Sequence, residues 1–314
     1  MKKVAKVLLV LMMMICLAGC SSGSKKLRVG VVQLIEHEAL DAATKGFVDV
    51  LKETFGDEIS IDVKTAGGDS ASCSTIANGY VSEGVDLIMA NATAALQASA
   101  AATNSIPVLG TSITEYGVAL GIDNFSGLVG NNVSGTSDLA PLDEQVKMIV
   151  DLVQDVKTVG ILYCSNEPNS KYQVQKVTEE LEKFNVKVIA KSFTDSNDIA
   201  AITTELVSSV DAIYVPTDNQ VASYADTINN ITFGKTPIIC GEEGTCKKCG
   251  VATLTIDYYE LGRTTGQMAV KILKGEAKVQ EMPIEYYKNP VKKFNSTIAD
   301  GLKMTFPNEY GVIQ

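Results

Sequence analysis

Leu27-Arg28-Val29-Gly30-Val31-Val32-Gln33 is a short β-branched run. Leu40, Ala43, Phe47, Val50 and Leu51 follow it at helical spacing, and Ile59-Ser60-Ile61-Asp62-Val63 is a second strand-like run. The switch from an extended to a 3.6-residue period and back predicts a βαβ unit. Outward from it the cycle repeats: helix 75–82, buried strand 85–89, an alanine-rich helix over 93–102, and strand 106–109. The Gly/Ser/Asn-rich stretch 121–136 reads as a strand plus a crossover. The cycle then restarts with helix 139–152, strand 158–163, helix 171–184, strand 186–191, helix 199–207 and strand 212–215. Strands at 237–240 and 251–255 precede a helix over 259–273 closed by Lys274-Gly275. Two βα arrays in one chain predict an α/β protein of two lobes, each a parallel sheet flanked by helices. The first lobe is expected to hold 27–134 and 258–280, the second 135–257 and 281–314. Crossings near 132–136, 255–257 and 280–282 would make a three-strand hinge, on which lobes open and close.

The N-terminus predicts the compartment. Lys2, Lys3 and Lys6 form a basic region, 7–18 an apolar run, and Leu17-Ala18-Gly19-Cys20 a lipobox. The run is too short for a permanent bilayer span, and small residues before a cysteine suit a lipoprotein signal peptidase. Residues 1–19 are therefore expected to be removed and Cys20 to become the lipidated N-terminus. Residues 20–26 would tether the protein to the extracytoplasmic face of a bacterial membrane.

The 314 residues carry a net charge of −10. That excess of acid argues against nucleic acid or anionic lipid as the main partner and for a small ligand. Besides Cys16 and Cys20 there are Cys73, Cys164, Cys240, Cys246 and Cys249. Cys246-Lys247-Lys248-Cys249 has the spacing of half a zinc ribbon, but no second CxxC and a single histidine accompany it. A loop disulfide or two free thiols is the expectation, with no metal and no cofactor.

In parallel sheets a ligand crevice lies beyond the carboxyl ends of the strands. Those positions are rich in acids and small polar groups: Glu36 and His37, Asn91 and Thr93, and Thr111 and Ser112 in the first half. Ser137, Asp138, Ser165, Glu167, Asn169, Ser170, Asp218, Asn219, Glu242 and Asp257 follow. Hydroxyls and free N–H groups at helix N-termini suit a carboxylate, and acids suit an ammonium, so the set fits a zwitterion. The same residue types are ordinary N-caps, so capping alone accounts for any one of them.

Enzyme motifs fail on inspection. His37-Glu38-Ala39-Leu40-Asp41 begins like a zinc-protease HExxH helix but ends in aspartate. Gly234-Lys235-Thr236 ends like a phosphate loop, yet Asn229 replaces the earlier glycine and Pro237 follows. No GxSxG elbow is present. A DNA-binding regulator on such lobes would carry a basic helix-turn-helix head where this chain has its lipobox.

The chain resembles the ABC transporter substrate-binding lipoproteins for tryptophan and other aromatic amino acids. The resemblance rests on the stretches Val32 to Asp41, Pro107 to Ser112, Ser134-Gly135-Thr136-Ser137-Asp138 and Tyr163 to Ser170. Pro216-Thr217-Asp218-Asn219, Gly250-Val251-Ala252-Thr253 and Ile256 to Gly262 complete it. Glu38 stands where the family often has proline. The resemblance implies a type I periplasmic-binding fold and a free L-aromatic amino acid as ligand. It further implies permease and ATPase subunits as partners of a monomeric protein that catalyses nothing. Sugars or nucleosides as ligands, or a sensor feeding a receptor, are the alternatives. Asp218 is expected to take the ligand ammonium, and Thr93, Ser112 and nearby N–H groups, with Ser137, the carboxylate.

Overall fold

The computed structural model describes residues 26–313; the expected signal peptide and Cys20 lie outside the described residues. The first sheet contains β1 (Leu27–Gln33), β2 (Ile59–Thr65), β3 (Leu87–Asn91), β4 (Val108–Ile113), β5 (Val133–Ser137) and a short β11 (Glu285–Tyr286). Its order is β2-β1-β3-β4-β5-β11, and every pairing is parallel. The second contains β6 (Thr158–Cys164), β7 (Lys187–Phe193), β8 (Ala212–Val215), β9 (Ile238–Cys240), β10 (Ala252–Thr255), β12 (Val291–Phe294) and β13 (Gly311–Val312). Its order, β7-β6-β8-β9-β10-β12-β13, repeats the first, with one antiparallel pairing between β10 and β12. This is the expected two-lobed α/β architecture of a type I periplasmic-binding protein.

The reason the strands read as unbroken apolar runs is visible in their burial. β3 is buried at all five positions and β8 at all four, because helices cover both faces. The edge strands β2 and β7 instead expose charges such as Asp62 and Lys187, which discourages pairing with another chain. Helix Glu38–Phe55 buries the periodic set Leu40, Ala43, Phe47, Val50 and Leu51. Helix Tyr258–Leu273 lies on it within the first lobe. Glycines permit that approach: a Cβ on Gly262 would stand 1.9 Å from the Ala43 carbonyl oxygen, and one on Gly46 2.1 Å from that of Tyr259.

The lobe boundaries differ from the sequence reading. β5 runs to Ser137 and pairs with β4, so 135–137 belong to the first sheet and the first crossing follows them. β11 also pairs with β5, which moves the third crossing from 280–282 to the segment between β11 and β12, after Tyr286. The second crossing falls between β10 and helix Tyr258–Leu273. Both displaced boundaries sit in segments without periodicity, where only strand pairing decides membership. Cys246 and Cys249 occupy a helix, Glu243–Cys249, rather than a loop, and both thiols are free and buried.

Candidate functional site

The lobes face each other across the carboxyl ends of their strands, and between them lies a small cavity of about 10 Å³, room for about one water molecule. His37 and Ala39 follow β1; Asp138 follows β5; Thr217, Asp218 and Asn219 follow β8; Glu242 follows β9; Tyr258 follows β10. Five of the sequence candidates, His37, Asp138, Asp218, Asn219 and Glu242, thus converge on one space. The lobes touch around it: His37 Nε2 lies 3.1 Å from Asn219 Oδ1, Gln220 Nε2 donates to the Gly68 carbonyl at 3.5 Å, and Lys247 pairs with Glu38 at 3.3 Å.

Three carboxylates line this cavity, and no lysine or arginine does so among the described residues. Two of the acids are already engaged within the second lobe. Asp218 Oδ1 accepts from Val221 N as an N-cap, and its Oδ2 accepts from Cys164 N and Ser170 Oγ, each at 2.7 Å. Glu242 caps helix Glu243–Cys249, one oxygen accepting from Gly244 N and the other from Thr245 N. Asp138 is different. Its Oδ2 accepts from the Tyr258 hydroxyl at 3.0 Å, while Oδ1, also buried, makes no hydrogen bond of normal geometry. Burial raises the Asp138 carboxyl to about 6 against the opposing pull of the Tyr258 and Thr114 hydroxyls. An orphaned acceptor on a buried acid is costly, and a cationic donor is the partner that would relieve it.

The first-lobe face carries backbone outliers at the ends of two neighbouring strands. β3 and β4 are in register with Asn91 opposite Thr111, and Ala92 N donates to the Thr111 carbonyl. The next residues, Ala92 (φ 87°) and Ser112 (φ 55°), both have positive φ. Such non-glycine strain clusters at ligand clamps. Ala92 precedes helix Thr93–Ala102 and offers its first N–H groups no side-chain cap, and the buried Ser112 Oγ has no partner. This corner holds a helix start without a side-chain cap and an unpartnered hydroxyl, where the Asp138 corner holds an unmet acceptor.

The remaining candidates are placed as follows. Glu167 is buried behind Asn219 and borders a wider outer cleft with Gly68, Ala94 and Gln220. Asn91 is turned into the first lobe, donating to Leu40 O and Thr44 Oγ1, and Thr111 meets Thr136 Oγ1. Ser137 Oγ donates to Thr114 O and accepts from Leu139 N, so it shapes the turn that presents Asp138. Ser165 donates to Phe193 O, Ser170 to Asp218, and Asn169 to Glu167 and Thr217 O. Glu36 is exposed, and Asp257 is an exposed N-cap to Glu260 on the hinge side. Tyr258 and Gln220 are absent from the residues singled out by their place after a strand. Each lies one helical residue or more beyond such a point, and only the fold turns them inward.

Comparison with known proteins identifies the family. Residues 28–312 match the family model described as ABC transporter substrate binding protein. The tyrosine-binding protein of Clostridioides difficile is 34% identical over 268 residues, 84% of this chain and 77% of that one. The crystal structure of an ABC domain in complex with L-Trp from Streptococcus pneumonia superimposes with a TM-score of 0.87 at 34% identity, covering 92% of this chain and 100% of that one. A ligand-free, open substrate-binding protein with adhesive properties from Clostridium difficile gives 0.71 at 36% identity, over 92% and 99%. At nearly equal identity the chain superimposes better on the complex, in keeping with lobes that already hydrogen-bond to each other. Fold, cleft and sequence together make this chain a member of the ABC transporter substrate-binding protein family.

Proposed function

We propose that this protein is the extracytoplasmic, lipid-anchored receptor of an ABC importer and captures a free L-aromatic amino acid between its lobes. The observation that carries the ligand class is an unmet acid after β5 together with an uncapped helix start after β3 and an unpartnered hydroxyl at the end of β4, all at the carboxyl edge of the first sheet. Asp138 Oδ1 would take the ammonium, in place of the Asp218 expected from sequence, whose oxygens are engaged by Val221, Cys164 and Ser170. The uncapped start of helix Thr93–Ala102 and Ser112 would take the carboxylate. The side chain is assigned by analogy to the tyrosine- and tryptophan-binding relatives. The inner cavity of about 10 Å³ is far too small for such a ligand, so its capture requires the lobes to part and close again about the three crossings.

Calorimetry of the purified protein against L-tryptophan, L-tyrosine, L-phenylalanine, ribose and a nucleoside is the direct test. Binding of the aromatic amino acids, and not of their N-acetyl forms, is expected. Heat with ribose or the nucleoside alone would replace this reading by a sugar- or nucleoside-binding one. The anchor rests on Leu17-Ala18-Gly19-Cys20. Cys20→Ser should move the protein from membrane to soluble fractions, and retention on the membrane would count against lipidation.

A further inference from the structure

The bridge between His37 and Asn219 has a direction, and a third residue sets it. Asn219 Nδ2 donates to Glu167 Oε2 at 2.7 Å. That oxygen is already the acceptor for two further N–H donors and so has no proton to give, which makes the Asn219 amide present Oδ1 to His37 and makes His37 Nε2 the donor across the lobes. The same carboxylate holds the second bridge. Its Oε1 accepts from Gln220 N at 3.0 Å, and Gln220 Nε2 reaches across to the Gly68 carbonyl. Gly68 has φ 86°, a backbone conformation that any side chain would strain, and a Cβ there would displace that Nε2, 2.7 Å away. Oε2 also accepts from Asn219 N and Asn169 Nδ2, giving Glu167 four donors in all while it stays 7% exposed. Among the described residues Glu167 makes no hydrogen bond to the first lobe. Yet both residues that grip the first lobe here are oriented by it.

We propose that Glu167 is the positioning residue of a closure latch. By fixing the amide of Asn219 and the backbone of Gln220 it sets the stability of the closed form, and through that the residence time of the ligand. The inner cavity is walled by His37 and Asn219 and the outer cleft by Gly68, Glu167 and Gln220, so the two bridges form the partition between them. Ligand held inside leaves when the partition opens. The inference rests on reading the cleft as the ligand site, but the latch itself is testable without ligand.

The test is a double-mutant cycle between Glu167→Gln and a latchless background, His37→Ala with Gln220→Ala. Interlobe distances are read in the purified, unliganded protein from labels on helices Ser70–Glu83 and Pro168–Glu182. Glu167→Gln alone should shift the distribution toward the open form and, with an amino acid that binds, raise the dissociation rate about tenfold with little change in association. In the latchless background the same substitution should add little, because its only route to the first lobe is gone. Equal, additive effects in both backgrounds, or an unchanged distance distribution, would overturn the proposal. Should Glu167→Gln fail to fold, Asn219→Ala serves: it leaves Glu167 its backbone donors and breaks one bridge, so an unaltered open fraction there is equally fatal. If no amino acid binds, the ligand assignment fails while the distance measurements still decide the latch.

Discussion

Tyr258, the first residue of the long helix after β10, donates its hydroxyl to Asp138, the first residue after β5, across 120 positions of sequence. The bond satisfies one oxygen of a buried acid and leaves the other without a partner. Both residues stand beside chain crossings between the lobes. The acid is therefore held at the hinge side of the cavity in an orientation that a single tyrosine maintains.

Asp138→Asn is expected to weaken binding of the preferred amino acid by about 2 to 5 kcal/mol, tens- to thousands-fold, because the ligand ammonium loses its buried counter-charge. The unliganded variant should melt no lower than the parent, since the orphaned charge is gone as well. Titration calorimetry and thermal melts of both proteins check the two halves. Unchanged affinity places the ammonium elsewhere.

Affinity should fall with acidity through a window set by the same acid. Its folded-state carboxyl stands raised from 3.8 to about 6, so the folded protein holds this proton more tightly than the unfolded chain does. Its contribution to stability accordingly declines as pH rises from 3.8 to about 6. An ammonium ligand favours the ionised form, so binding is strongest above about pH 6 and weakens about tenfold per unit as the pH falls below that value. Glu167 and Asp218 are also pushed upward, chiefly by burial, and any pH dependence that survives in Asp138→Asn belongs to them. Dissociation constants measured between pH 4.5 and 8 in parent and variant separate the contributions.

Asp218→Ala should act on folding more than on recognition. It removes the cap from Val221 N and strips Cys164 N and Ser170 Oγ of their acceptor in a fully buried setting. A loss of about 1 to 3 kcal/mol per orphaned group follows, seen as a lower urea midpoint with an unchanged slope. A stable variant with abolished binding would restore the direct ammonium role.

Gly262→Ala tests the helix contact that builds the first lobe. The added methyl meets the backbone carbonyl oxygen of Ala43 at 1.9 Å, and helices Glu38–Phe55 and Tyr258–Leu273 must separate to admit it. Destabilisation of about 1 to 3 kcal/mol is expected, read as a drop in melting temperature. Because Tyr258 rides on the displaced helix, ligand affinity should fall with it.

Local chemistry alone determined much of this protein. The apolar runs at β1, β3 and β8 and the helical spacing of Leu40, Ala43, Phe47, Val50 and Leu51 carry their own periods, so two βα arrays were readable without any contact. Strand ends rich in acids were readable too, because in a parallel sheet the crevice position follows from connectivity. The division of labour among those acids was not. Asp138, Asp218 and Glu242 are alike as sequence, each a carboxylate just past a strand. Asp218 and Glu242 are used up by N–H groups within their own lobe, and Asp138 is left with an open oxygen because Tyr258 reaches only one side of it. The placement of β11 and the end of β5 likewise required strand pairing, since short segments without periodicity take their membership from a neighbour. Hydrogen-bond saturation and lobe closure depend on partners tens to hundreds of residues away, and only the tertiary structure brings those partners into reach.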